Sequence, residues 1–163
     1  MRSLYDAIGI SRLDGSENFT GGSQGPSIPA QSLSGSTAVS GAYFDTKGFQ
    51  TAVLRANAQA ASGTPTTATV VFKLQESAST TGSTFVDAKD NSGTLISGTV
   101  NVTGAAGDVL ARIEGLGLNR KRYLRIVATP AFTGGTTPAT LAFAEIIASR
   151  AFLQPVQSDV SNT

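Results

Sequence analysis

The chain has 163 residues, 14% of them charged, with a net charge of +1. It contains no Cys, no His and no Trp. That excludes Ser-His-Asp and Cys-His catalysis, disulfides, and zinc, haem or iron–sulfur ligation through those side chains. Ala, Gly, Ser and Thr together supply 78 of the residues, so large apolar side chains are scarce and the surface reads as hydroxyl-rich rather than ionic.

Residues 1–13 hold Leu4, Tyr5, Ile8, Ile10 and Leu13 among polar neighbours. Leu4 and Ile8 have helical spacing and Ile8 and Ile10 strand spacing, so periodicity leaves the conformation open. The segment reads either as a frayed terminus or as a short anchor for its own domain or a neighbouring subunit. It lacks the apolar run of a secretory signal, and no stretch of the chain is long and apolar enough for a spanning helix. No membrane association is expected, and the protein is expected to stay at first in the cell that makes it. Residues 14–41 are broken by Gly15, Gly21, Gly22, Gly25, Gly35 and Gly41 and by Pro26 and Pro29. Phe19, Ile28, Leu33 and Val39 stand isolated there. The spacing predicts an extended N-terminal arm over 1–41, ordered only when something grips it.

From Ala42 the pattern becomes one of short strands and turn clusters. Strands are expected over 42–46, 49–56, 67–77, 84–88, 94–103, 121–129 and 140–150, with 109–118 open to strand or helical turn because Leu110, Ile113 and Leu116 are spaced by three. Val70, Phe72 and Leu74 alternate with Thr69, Val71, Lys73 and Gln75, and Ile96, Gly98, Val100 and Val102 share one face of their strand. Residues 130–138 read as a Gly/Thr-rich loop. Residues 140–150 are apolar on both faces, the mark of a central strand. About eight short strands without a long amphipathic helix predict an all-β fold, an antiparallel β-sandwich or jelly roll over 42–152, followed by a polar tail over 153–163.

Chemistry-bearing patterns are few. Asp87 and Asp90 are close in sequence, but Asp90-Asn91-Ser92-Gly93 reads as a hairpin turn making local backbone bonds. Gly115-Leu116-Gly117 begins a dinucleotide fingerprint and lacks its third glycine and its strand-to-helix context. The densest charge cluster is Arg120, Lys121, Arg122 and Arg125 around Tyr123. It reads as a solvated strand end, as a polar contact with an acidic partner surface, or as a phosphate-binding patch. Aromatics at 7% and the lack of a wider basic stripe weigh against direct nucleic-acid binding.

The run Thr69–Ser77 (TVVFKLQES), followed by Thr80–Asp87 (TTGSTFVD), resembles a segment of tailed-bacteriophage head proteins in which a strand ending Leu-Gln-x-Ser precedes a turn and a Thr-Phe strand. Arg122–Thr129, Thr133–Thr137 and Leu141–Ile147 look like the closing strands of the same domains. Over roughly residues 42–150 the chain is similar to capsid decoration, or cement, proteins. That resemblance implies a non-enzymatic virion protein without catalytic residues or cofactors, made in the host cytoplasm and bound as a homotrimer to the major capsid protein on the capsid exterior. It would place capsid or neighbour contacts on Leu4, Tyr5, Ile8, Phe19 and Ile28. The competing expectation is a tail or fibre module for a receptor or carbohydrate. An enzyme is expected least.

Overall fold

The computed structural model describes residues 27–149, apart from 114 and 117. It is a β-sandwich. The strands are β1 (Ile28–Ser34), β2 (Val39–Ser40), β3 (Phe44–Asp45), β4 (Thr51–Ala58), β5 (Thr67–Ser77), β6 (Val86–Asp87), β7 (Ser97–Asn101), β8 (Gly107–Ile113), β9 (Tyr123–Thr133) and β10 (Ala139–Ser149). One sheet, here sheet A, has the order β1-β10-β4-β8. In sheet B the long strands β9 and β5 lie side by side, with β2 and β3 on the outer edge of β9 and β6 and β7 on the outer edge of β5. Every neighbouring pair is antiparallel. The chain crosses between the sheets after β1, β3, β4, β7, β8 and β9.

Alternation builds the core as expected for β5 and β7. Val70, Phe72 and Leu74 of β5 point inward, with Leu124, Ile126 and Ala128 of β9 beside them. Facing them from sheet A are Leu54 and Ile146 and a set of alanines, Ala52, Ala56, Ala58, Ala142, Ala144 and Ala148. Small residues on one sheet leave room for Phe72 and the branched side chains of the other, each of which contributes about 1.5–3 kcal/mol on burial. At one edge the sheets interlock through two reciprocal contacts. A Cβ on Gly98 would lie 2.5 Å from Val109 Cγ1, and one on Gly107 2.6 Å from Val100 Cγ1. Val109 therefore fills the space that Gly98 leaves, and Val100 the space that Gly107 leaves.

Three sequence expectations are corrected. Residues 27–41 are not part of an arm. β1 is an edge strand of sheet A, and Ile28 and Leu33 are buried in the core. Five residues apart, they would face opposite sides of a regular strand. Between Ile28↔Ala144 and Gln31↔Ala142 the register advances three residues on β1 and two on β10, and this bulge turns both side chains inward. Pro29 sits in the bulge of an edge strand, where its missing N–H costs no ladder bond. Second, β9 runs through Pro130 to Thr133 instead of ending at Thr129. Pro130 pairs with Val70 on β5. The pairing of β2 with β9 stops at Val39↔Ala128, so no strand on that side calls for the Pro130 donor. Third, the segment open to strand or helix resolves as β8 up to Ile113, followed by a turn in which Asn119 N donates to Gly115 O at 3.0 Å. Phe85 lies between a 3-10 turn (Gly82–Thr84) and the two-residue strand β6.

Ser27 ties the start of β1 to sheet B. Its Oγ donates to Ala42 O at 2.9 Å and accepts from Ile126 N at 3.1 Å, while Ala42 N donates to Ser27 O at 2.7 Å. One serine thus fills the gap in the ladder between β2 and β3. Gly41 is required beside it, because a Cβ there would lie 2.3 Å from Ser27 O.

Candidate functional site

The basic cluster is brought together at one end of sheet B, and Arg120 and Arg122 are paired with acids of the same chain. Arg122, just before β9, forms a forked pair with Asp45 of β3, Nε to Oδ1 at 3.0 Å and Nη2 to Oδ2 at 2.7 Å. Its guanidinium also lies 5.1 Å from the centre of the Tyr123 ring. The hydrogen bond from Arg122 holds the Asp45 carboxyl below its ordinary value, with a smaller contribution from the Lys47 N–H, and Asp45 in turn raises Arg122. Arg120 is nearly buried and its Nη1 is 3.6 Å from Glu76 Oε2. Arg125 donates from Nε to Gln75 Oε1 at 2.9 Å and stacks 4.3 Å from the centre of the Phe85 ring. Desolvation there lowers the Arg125 guanidinium from its ordinary value. Lys121 is exposed.

A second chain of contacts continues from Gln75. Its Nε2 donates to Asp87 Oδ1 at 2.8 Å, and Lys73 Nζ reaches Asp87 Oδ2 at 2.9 Å. These bonds, that from Gln75 first, hold the Asp87 carboxyl below its ordinary value. Asp90 caps its own turn, with Oδ1 accepting from Ser92 N at 2.9 Å and from Thr94 N at 2.8 Å. The end of the sandwich is therefore a lattice of matched charges that fastens β3, β5, β6 and β9 together. Arg120, Arg122 and Arg125 thus have partners within the chain, and the Arg122 side chain stays 48% exposed beside Asp45. Among the described residues no group of three or more acidic side chains could hold a metal ion. No described helix is long and apolar enough to cross a membrane.

The sequence-predicted contact residues separate. Leu4, Tyr5, Ile8 and Phe19 lie outside the described residues. Ile28 lies within the core at 0% exposure, so it is not available to a neighbour, and its assignment as a contact is corrected.

The surface that sequence reasoning missed is the outer face of sheet A. Val53 of β4 and Leu110 of β8 project there with Leu141, Phe143 and Ile147 of β10. Leu110 is 74% exposed, Leu141 51% and Ile147 37%. Register explains the grouping, since Ile147 is opposite Val53, and Leu110 opposite Arg55. Arg55 meets Glu145 across the strands at 3.4 Å, a polar element within the apolar face. Thr51, Val53, Leu110, Arg112 and Ile147 line a shallow groove of about 370 Å³. The signal was present as the two apolar faces of residues 140–150. They predict a central strand, which β10 is, but not that one of its apolar faces stays exposed.

No known protein family matches the chain, and no curated protein matches it.

Proposed function

We propose that the chain is a non-enzymatic structural protein of a tailed-phage virion, which binds the outer surface of the capsid through the major capsid protein and bridges capsomers as a homotrimer. The observation that carries this reading is the outer face of sheet A. Folding of the sandwich leaves its Leu110, Leu141 and Ile147 in water. Exposed apolar groups gathered on one sheet face suit protein–protein contact. The runs resembling phage head proteins support the same reading. They coincide with β5, the 3-10 turn and β6, and with β9 and β10. The strand order, with β10 between β1 and β4 in one sheet and β9 between β2–β3 and β5 in the other, further supports a jelly roll, an architecture common in viral coats.

Bridging needs many weak contacts repeated around a closed ring, so that avidity replaces single-site affinity. A neutral, hydroxyl-rich chain suits dense placement of copies, since net charge of +1 gives little mutual repulsion. The test is cosedimentation of purified protein with DNA-free expanded heads and, separately, with isolated tails of the parent phage. Saturable binding to heads is the expected result. Binding to tails alone overturns the reading in favour of the tail or fibre module.

A further inference from the structure

Among the described residues β8 ends the order of sheet A, with β4 beside it. The ladder fixes which of its main-chain groups face outward. Gln59 N donates to Leu141 O at 2.9 Å, so the odd-numbered residues of β4 turn their main-chain groups toward β10. The even-numbered residues Ala52, Leu54, Ala56 and Ala58 therefore turn theirs toward β8, where they oppose Ile113, Ala111, Val109 and Gly107. The N–H and C=O groups of Asp108, Leu110 and Arg112 point the other way, away from the sheet. These three are the exposed residues of the strand, Leu110 at 74%. The buried Val109 and Ile113 are the ones that face β4 with their main chain.

Sheet edges are commonly blunted by charge. On β8 the two charges have opposite sign and stand two residues to either side of Leu110, on one face of the strand. Charges of one sign would repel a second copy of the strand in any register. Opposite charges at equal spacing favour one arrangement. In an antiparallel pair of β8 strands with Leu110 opposite Leu110, Asp108 of each copy faces Arg112 of the other. A parallel pair in register would set Asp108 against Asp108, and an antiparallel pair slipped by two residues would set Leu110 against a charge. The favoured arrangement also brings together the residues whose main-chain groups point outward. Each facing pair then exchanges both of its hydrogen bonds.

We propose that β8 pairs antiparallel with β8 of a second copy of this chain about a two-fold axis at Leu110, joining sheet A of both copies into one continuous sheet. Main-chain bonds at Asp108, Leu110 and Arg112 supply the affinity, and the two Asp108–Arg112 pairs fix direction and register. The contact is isologous. It is distinct from the closed ring of the proposed homotrimer, and within that reading it links a copy in one trimer to a copy in the next. It goes beyond attachment to a phage head and stands without it.

Amide hydrogen exchange of the full-length protein, read by NMR over a wide range of concentration alongside sedimentation, tests this. The expected result is association in which the Asp108, Leu110 and Arg112 amides exchange at least about tenfold more slowly than in dilute protein. Asp108→Arg and Arg112→Asp, made singly, each set like charges against one another at both ends of the strand pair. Each should weaken that association at least about tenfold. The double variant Asp108→Arg/Arg112→Asp restores opposite charges and should recover the association, which damage to the fold would not do. Amides of β5 and β9 keep their protection in all three variants. Four results would overturn the proposal: slow exchange at the three amides already in dilute protein, fast exchange at every concentration in the unmodified protein, a single variant that associates as the unmodified protein does, or a double variant that recovers nothing.

Discussion

The inner face of sheet A carries Ala52, Ala56, Ala58, Ala142, Ala144 and Ala148 among Ile28, Leu33, Leu54, Val109, Ile113 and Ile146, whereas its outer face sets Val53, Leu110, Leu141, Phe143 and Ile147 among Arg55, Asn57, Asp108, Arg112 and Glu145. A one-sided sheet normally keeps its larger apolar groups inside. Here large apolar groups stand on both faces, with Phe72, Leu74, Leu124 and Ile126 of sheet B filling the space above the inner alanines. The alanines of the inner face let the two sheets approach, and the large apolar groups of the outer face are the ones the proposed association would use. The comparison separates residues that determine stability from residues that determine association, and substitutions on the two faces should divide accordingly.

The largest effect is expected at the centre of the core. Phe72→Ala removes the largest fully buried side chain from a position where the facing alanines cannot collapse into the space. It should cost about 3–5 kcal/mol, measured by denaturant unfolding. Gly98→Val should cost about 2–3 kcal/mol by forcing the sheets apart at Val109. Val109→Ala in the same chain should recover much of that loss, a coupling that a double-mutant cycle reads directly. Ser27→Ala should cost about 1–2 kcal/mol, because it leaves the Ile126 N–H without its acceptor inside the sandwich.

A smaller effect concerns acid. Asp45 and Asp87 have carboxyls held below their ordinary value of 3.8, Asp45 mainly by Arg122 and Asp87 mainly by Gln75. Depressed folded-state values mean that their stabilisation is present above the unfolded value and is lost as pH falls through the folded one. Stability of the unmodified protein should therefore decline on acidification below about pH 4. Asp45→Asn/Asp87→Asn should flatten that decline while lowering stability at pH 7, as followed by melting temperature against pH.

Much of this division was legible in the sequence. Strict alternation located β5 and β7 and the faces they bury, and the Asp90–Gly93 turn fell where its side chains place it. β1 was not legible, because a bulge at Pro29 destroys the alternation by which Ile28 and Leu33 would be recognised as neighbours. The continuation of β9 through Pro130 was hidden for a related reason: only the pairing of the flanking strands shows that no partner needs the proline's N–H. The basic cluster was visible as charge, but the neutralising residues Asp45 and Glu76 come from strands distant in sequence. The outer apolar face was visible only as an excess, since one sequence does not say which of two apolar faces of a strand is covered.

The central claim is that the outer face of sheet A serves association and not folding. It is tested most directly by the double variant Leu110→Ser/Ile147→Ser, with melting temperature and binding to DNA-free heads measured on the same preparation. The prediction is stability within about 0.5 kcal/mol of the unmodified protein for each substitution, together with at least about tenfold weaker binding. Unimpaired binding, or a loss of stability comparable to that of Phe72→Ala, would contradict it.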